Sequence, residues 1–192
     1  MLSSLLWRPL RPVDATRTYY LLGAGSSCFF VLAFTLSQVY YFTVVGLSPL
    51  EMVLVGTVLE ATCFLFEVPT GIVADLWSRR LSVIIGVVLI GPAILLQGLV
   101  PTITAVLAAQ VIWGLGYTFT SGADEAWITD EIGEDQVARV FTREQQLRLG
   151  LTVVATVLAG LLGLVSLRLP VVVAGAGFLV LAVVLLLVMT EE

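Results

Sequence analysis

Two glutamates stand seven residues apart, at Glu60 and Glu67, inside an otherwise apolar stretch. That spacing is close to two turns of α-helix, so both carboxylates fall on nearly one face. A charge at mid-membrane depth costs about 2.5–3.5 kcal/mol on insertion scales. Glu60 must therefore face a bundle interior or a wet cavity, or hold a proton. Removal from water disfavours the charged form, which makes Glu60 a candidate for binding and releasing a proton, or for meeting a substrate. Glu67 lies nearer the following turn and beside Pro69, a position suited to a structural or gating role. A second set of charges, Asp75, Arg79 and Arg80, follows Gly71 in a short polar turn, with Asp130 further on. Such charges can pair in one conformation and part in another, which gives a two-state gate its energy difference. Asp124 and Glu125 form a third set, able to line a cavity mouth or to pair with Arg79 or Arg148.

Other chemistry is excluded by residue type. The cationic residues are nine Arg, with no Lys and no His. No His-based metal site or His acid–base catalysis can be built from this chain. Cys28 and Cys63 both sit in apolar runs and read as small packing residues. No metal, cofactor or enzyme active site is expected. The Arg residues are scattered in ones, twos and threes, which argues against nucleic acid as a partner.

The elements that must position these groups are set by composition. Hydrophobic residues make up 59% of the chain and charged residues 12%, with a mean hydropathy of +1.06. A soluble domain carries about 25% charge, so the solvent must be lipid. A membrane helix needs roughly 20 residues, and the charges and helix breakers divide the chain into six spans. These are Thr18–Val45, Pro49–Val73, Leu81–Val100, Thr102–Ala126, Leu147–Leu167 and Leu169–Thr190. Asp14 is a candidate N-cap of the first. Ser48, Pro49 and Glu51 give the second a capping box with Pro at its first position. Residues 1–17 form an N-terminal segment. Residues 128–146 are polar and read as a connector between spans 4 and 5, with room for a short interfacial helix. The uncharged run from Thr18 to Leu50 is too long for a signal peptide.

Arginine fixes the orientation. With the N-terminus in the cytoplasm, Arg8, Arg11, Arg17, Arg79, Arg80, Arg139, Arg143 and Arg148 all lie inside and only Arg168 outside. Both termini are then cytoplasmic. Trp7, Trp77 and Trp127 fall near the inner boundary, and the Tyr40-Tyr41-Phe42 cluster near the outer one. Both groups suit interface anchors.

Gly71-x-x-x-Asp75-x-x-x-Arg79-Arg80, placed between spans 2 and 3, resembles the loop signature called motif A of the major facilitator superfamily. The six-span layout and the longer connector resemble the N-terminal half of such a transporter, and Ala126-Trp127-Ile128-Thr129-Asp130 resembles the end of its fourth span. The runs Glu67–Gly71 and Ser121–Ala126 are similar to those of bacterial drug- or macrolide-type efflux members. The resemblance implies an all-α membrane protein of 3+3 helix repeats, in the plasma membrane of a bacterium. It implies export of a small molecule by alternating access, with proton coupling as a further option. It also implies that Asp75, Arg79, Arg80 and Asp130 belong to a cytoplasmic gate. A complete member has twelve or so spans, so the partner is a second six-helix half of the same transporter, or less favourably a second copy. The competing expectation is a membrane partner subunit that keeps the half-fold but transports nothing. Three departures bear on mechanism. Leu76 and Ser78 replace a usual basic residue and a usual Gly in motif A. Gln110 stands where proton-coupled members carry Arg. Span 5 has Gly150, Gly160 and Gly163 but lacks the Gly-Pro pair of many antiporters.

Overall fold

The computed structural model describes residues 14–190 of the 192. It is helical throughout: α1 Ala15–Phe34, α2 Ser37–Tyr40 running into a π-helical turn Tyr41–Val45, α3 Pro49–Leu76, α4 Arg79–Leu99, α5 Ile103–Thr120, α6 Ala123–Ile132, α7 Glu134–Val165 and α8 Arg168–Val188. Six helical stretches among the described residues are long and apolar enough to cross a membrane. Trp7, Arg8 and Arg11 lie outside the described residues.

Local sequence sets the helix ends. The Asp14 carboxylate accepts from the Thr16 N–H and opens α1. At α3 the Ser48 N–H donates to Glu51 Oε2 at 2.7 Å, and the Glu51 N–H donates back to Ser48 Oγ at 3.4 Å, with Pro49 at the first position. Ser78 Oγ accepts from the Leu81 N–H and starts α4. Each of these fills a donor that the first helical turn leaves without an intrahelical partner.

Two boundaries differ from the sequence expectation. Residues 128–146 are helical almost throughout: α6 runs to Ile132, and α7 starts at Glu134 rather than Leu147. The polar residues mark where this helix leaves the hydrocarbon, not where it ends. At 1.5 Å per residue, 32 residues reach roughly 48 Å, well beyond a core of about 30 Å. Span 4 is broken instead. Gly122 adopts φ +74°, a left-handed conformation that glycine takes without penalty, and it separates α5 from α6.

Helix α4 is the centre. In its apolar stretch 61% of residues are buried, against 11% in α3 and in α7. Val83, Val87, Ile90 and Ile94 recur at helical spacing on α4 and are almost fully enclosed, with Phe178 and Leu185 of α8 in the same core. Helix α4 packs on α5 and α8, α1 packs on α7 and α8, and α3 packs mainly on α5. The α4–α5 seam is a backbone contact. A Cβ added at Gly86 would lie 2.5 Å from the Gly116 carbonyl oxygen, and one at Gly116 would lie 2.8 Å from that of Gly86. Small residues permit this approach in a membrane, where packing rather than water exclusion drives helix association.

Candidate functional site

The fold gathers the polar side chains into four places. The first is the end of the bundle where α3 meets α4. Asp75 lies in the last turn of α3, not in a loop, and is exposed. Arg79 Nη1 pairs with the Asp130 carboxylate and also donates to the Ala126 carbonyl oxygen at 3.1 Å. Arg79 thus ties the start of α4 to α6, and Asp75 stays outside that pair. The side chains of Arg79 and Asp130 are 31% and 62% exposed. An exposed pair of this kind is worth about 0–1 kcal/mol, too little to be a main support of the fold. Arg80 does different work: its Nε donates to the Met189 carbonyl oxygen at 2.6 Å. Trp127 is buried, not an interface anchor, because its indole N–H donates to the Thr190 carbonyl oxygen at 2.7 Å. Two carbonyls at the end of α8 are therefore held by α4 and α6. Trp77 is exposed. Gly71 faces open space within this chain.

The second place is a cleft of about 300 Å³ between α3 and α5. Glu60 and Glu67 both line it, as their spacing requires, together with Cys63, Trp113, Tyr117 and Thr118. Both carboxylates are exposed on the sparsely packed face of α3. The Trp113 ring stacks on Phe34 at 4.6 Å between centroids, and its indole nitrogen is buried with no hydrogen-bond acceptor among the described residues.

The third is a buried polar knot at the other end of the bundle. Tyr40 donates to the Gln97 carbonyl oxygen at 2.6 Å, and Tyr41 donates to Gln97 Oε1 at 2.6 Å. The Gln110 amide donates to the same oxygen at 3.4 Å. The two tyrosines are 0% and 4% exposed, which corrects their reading as interface anchors. The π-helical turn that follows Tyr40 accompanies this inward placement. Gln110 is thus committed to holding α5 against α4 and the end of span 1. No sequence feature pointed to Gln97, since a lone amide in an apolar run carries no periodic signal.

The fourth is a cavity of about 550 Å³ among α1, α4, the α5–α6 break and α7. Asp124 and Glu125 line it from the first turn of α6, and neither forms an ion pair among the described residues; of the alternatives open from sequence, the structure has them at a cavity and not paired with Arg79 or Arg148. Glu144 of α7 lines it too, and sequence reasoning missed this residue. Its fourth-residue spacing to Arg148 was the available signal, but only a helix running through 134–148 gives that spacing meaning. Gly23 of α1 makes room for the Glu144 carboxylate, which any Cβ there would meet.

A family model described as Major Facilitator Superfamily matches residues 19–192. An uncharacterized MFS-type transporter of Bacillus subtilis (strain 168), YxaM, is 27% identical over 124 residues, covering 63% of this chain and 30% of that protein. The match thus spans less than a third of the relative's length.

Proposed function

Because the chain belongs to the Major Facilitator Superfamily, we propose that it is the six-helix N-terminal half of a small-molecule exporter that works by alternating access against a second six-helix half. The observation that carries this reading is the α3–α4 turn. Arg79 is fixed to α6, while Asp75 and Gly71 lie on a face that this chain leaves uncovered. A carboxylate so placed can meet a partner on the second half in one state and lose it in the other. That difference is what biases a rocking pair of halves. Glu60 and Glu67 share the uncovered side of α3, where a carboxylate in contact with lipid would be costly. The reading gives Glu60 the proton-exchange role and Glu67 a gating one. Asp75→Asn in the complete transporter is expected to lower transport about tenfold or more at unchanged membrane abundance, measured as substrate efflux from loaded cells. Full efflux by that variant would remove the gate.

The same reading places the chain in the bacterial cell membrane with both termini cytoplasmic. Arg17, Arg79, Arg80, Arg139, Arg143 and Arg148 fall at one end of the bundle and Arg168 at the other. In a background lacking Cys28 and Cys63, a membrane-impermeant maleimide added outside should label Val100→Cys and spare Gln136→Cys. Both positions are exposed in the fold. The reverse pattern would invert the topology.

A further inference from the structure

We propose that Trp127 is a positioning residue of the gate: by holding the Thr190 carbonyl it straps the end of α8 across α4 and α6, and so fixes where Asp130 meets Arg79. This deepens the gate reading and rests on it. Three pairs of consecutive residues meet at this end of the bundle, Arg79-Arg80, Ala126-Trp127 and Met189-Thr190. Arg79 donates to the Ala126 carbonyl oxygen at 3.1 Å, Arg80 to that of Met189 at 2.6 Å, and the Trp127 indole to that of Thr190 at 2.7 Å. The three bonds close a ring through α4, α6 and the end of α8.

The strap is built from backbone that the helix has released. Helix α8 stops at Val188, and Met189 is extended, at φ −73° and ψ 127°. Buried carbonyls beyond a helix end need donors from elsewhere, and here two side chains supply them. Met189 is 0% exposed and Trp127 1%, so the strap lies docked in the core rather than loose on the surface.

Helix α6 needs such a hold, because its own chain connections do not set its tilt. Gly122 and Gly133 bound it at φ +74° and +81°, with open space beside both. Glycine admits a wide range of backbone angles at such joints, so side-chain contacts decide how α6 lies. The Arg79–Asp130 pair is exposed and too weak to decide it alone. Trp127 stands three residues before Asp130, on the same side of the helix. Any tilt of α6 that parts Asp130 from Arg79 therefore pulls on the Trp127–Thr190 bond.

The test uses the 192-residue chain in detergent, in a background lacking Cys28 and Cys63. Trp127→Phe keeps an apolar ring and removes the donor. A thiol introduced by Met189→Cys reports the strap, since labelling of a buried thiol tracks the opened fraction. Trp127→Phe is expected to speed its reaction with N-ethylmaleimide about threefold to tenfold. Nitroxides placed by Leu81→Cys on α4 and Glu125→Cys on α6 should show a broadened distance distribution in that variant. A pair at the other end of the bundle, Leu99→Cys and Leu164→Cys, should keep its distribution. Ile128→Val loosens an equally buried neighbour without touching the strap and should change neither readout. If Trp127→Phe is not monodisperse, Arg80→Leu carries the comparison, because it frees the Met189 carbonyl. Unchanged labelling, an unchanged α4–α6 distribution, equal broadening at the far pair, or the same effects from Ile128→Val would each overturn the proposal. The gate reading is judged separately, by efflux from the Asp75→Asn variant of the complete protein.

Discussion

Gly86→Val is expected to remove nearly all folded protein from the membrane. The Cβ of any other residue at 86 would stand 2.5 Å from the Gly116 carbonyl oxygen and 3.2 Å from the Thr120 backbone nitrogen. Overpacking usually costs about 1–3 kcal/mol because side chains can shift to absorb it. Here the obstacle is backbone on the facing helix, so the cost lies at or above the top of that range. Folded proteins hold only about 5–15 kcal/mol in reserve, and α4 is the helix on which α5 and α8 both pack. The measurement is the monodisperse peak in size-exclusion chromatography after extraction in mild detergent. Gly71→Ala is the matched comparison: a Cβ there meets nothing within 4 Å, so its peak should equal that of the parent. An intact peak from Gly86→Val would show that the α4–α5 seam is not as tight as described.

Gln97→Leu carries the second large effect. One side-chain oxygen of Gln97 accepts from both the Tyr41 hydroxyl and the Gln110 amide. Losing an interhelical hydrogen bond in a membrane protein costs about 0.6 kcal/mol on average. Leaving a buried donor without an acceptor costs about 1–3 kcal/mol, and this substitution strands two. The sum predicts a fall in the unfolding midpoint of about 5–15 °C. Cys28 and Cys63, both free and partly buried, serve as reporters through heat-dependent maleimide labelling. Adding Tyr41→Phe to Gln97→Leu removes one stranded donor and should recover part of the loss. No recovery would mean that the destabilisation comes from packing rather than from the orphaned groups.

What could be read from sequence follows the reach of each signal. The six spans are local: hydrocarbon thickness sets a run length, and charge interrupts it. The Ser48–Glu51 capping box is local too, complete within four residues. The Glu60–Glu67 pairing in one cleft needed only the helical period. The misreadings share a different cause. The polarity of residues 128–146 reads as a connector, yet polarity reports exposure to water and says nothing against helix once the chain is outside the bilayer. Asp75 reads as a turn residue on the same ground, though it lies in the last turn of α3. Tyr40, Tyr41 and Trp127 suit interface anchors by their depth along the chain. Their burial depends on partners tens of residues away, Gln97 for the tyrosines and Thr190 for the indole, and nothing near them in sequence announces those partners. Glu144 gives no signal in sequence for a like reason: it becomes a cavity residue only when α7 lies against Gly23 of α1.

The position of α4 governs the order in which this protein can be made. Each helix satisfies its own backbone and can enter the bilayer as soon as it is synthesised. Helix α4 meets α5 almost at once, but its other main neighbour is α8, and α1 likewise waits for α7 and α8. The helix with the most to bury therefore stays half-covered from the arrival of α5 to that of α8, with the α8-facing side of its core row open to lipid or to whatever else is at hand. Insertion proceeds from the N-terminus onward, whereas tertiary closure of this six-helix bundle is withheld until α8 arrives. Quality control acting on a nascent chain of this kind would meet an inserted but unsealed bundle until α8 has been made.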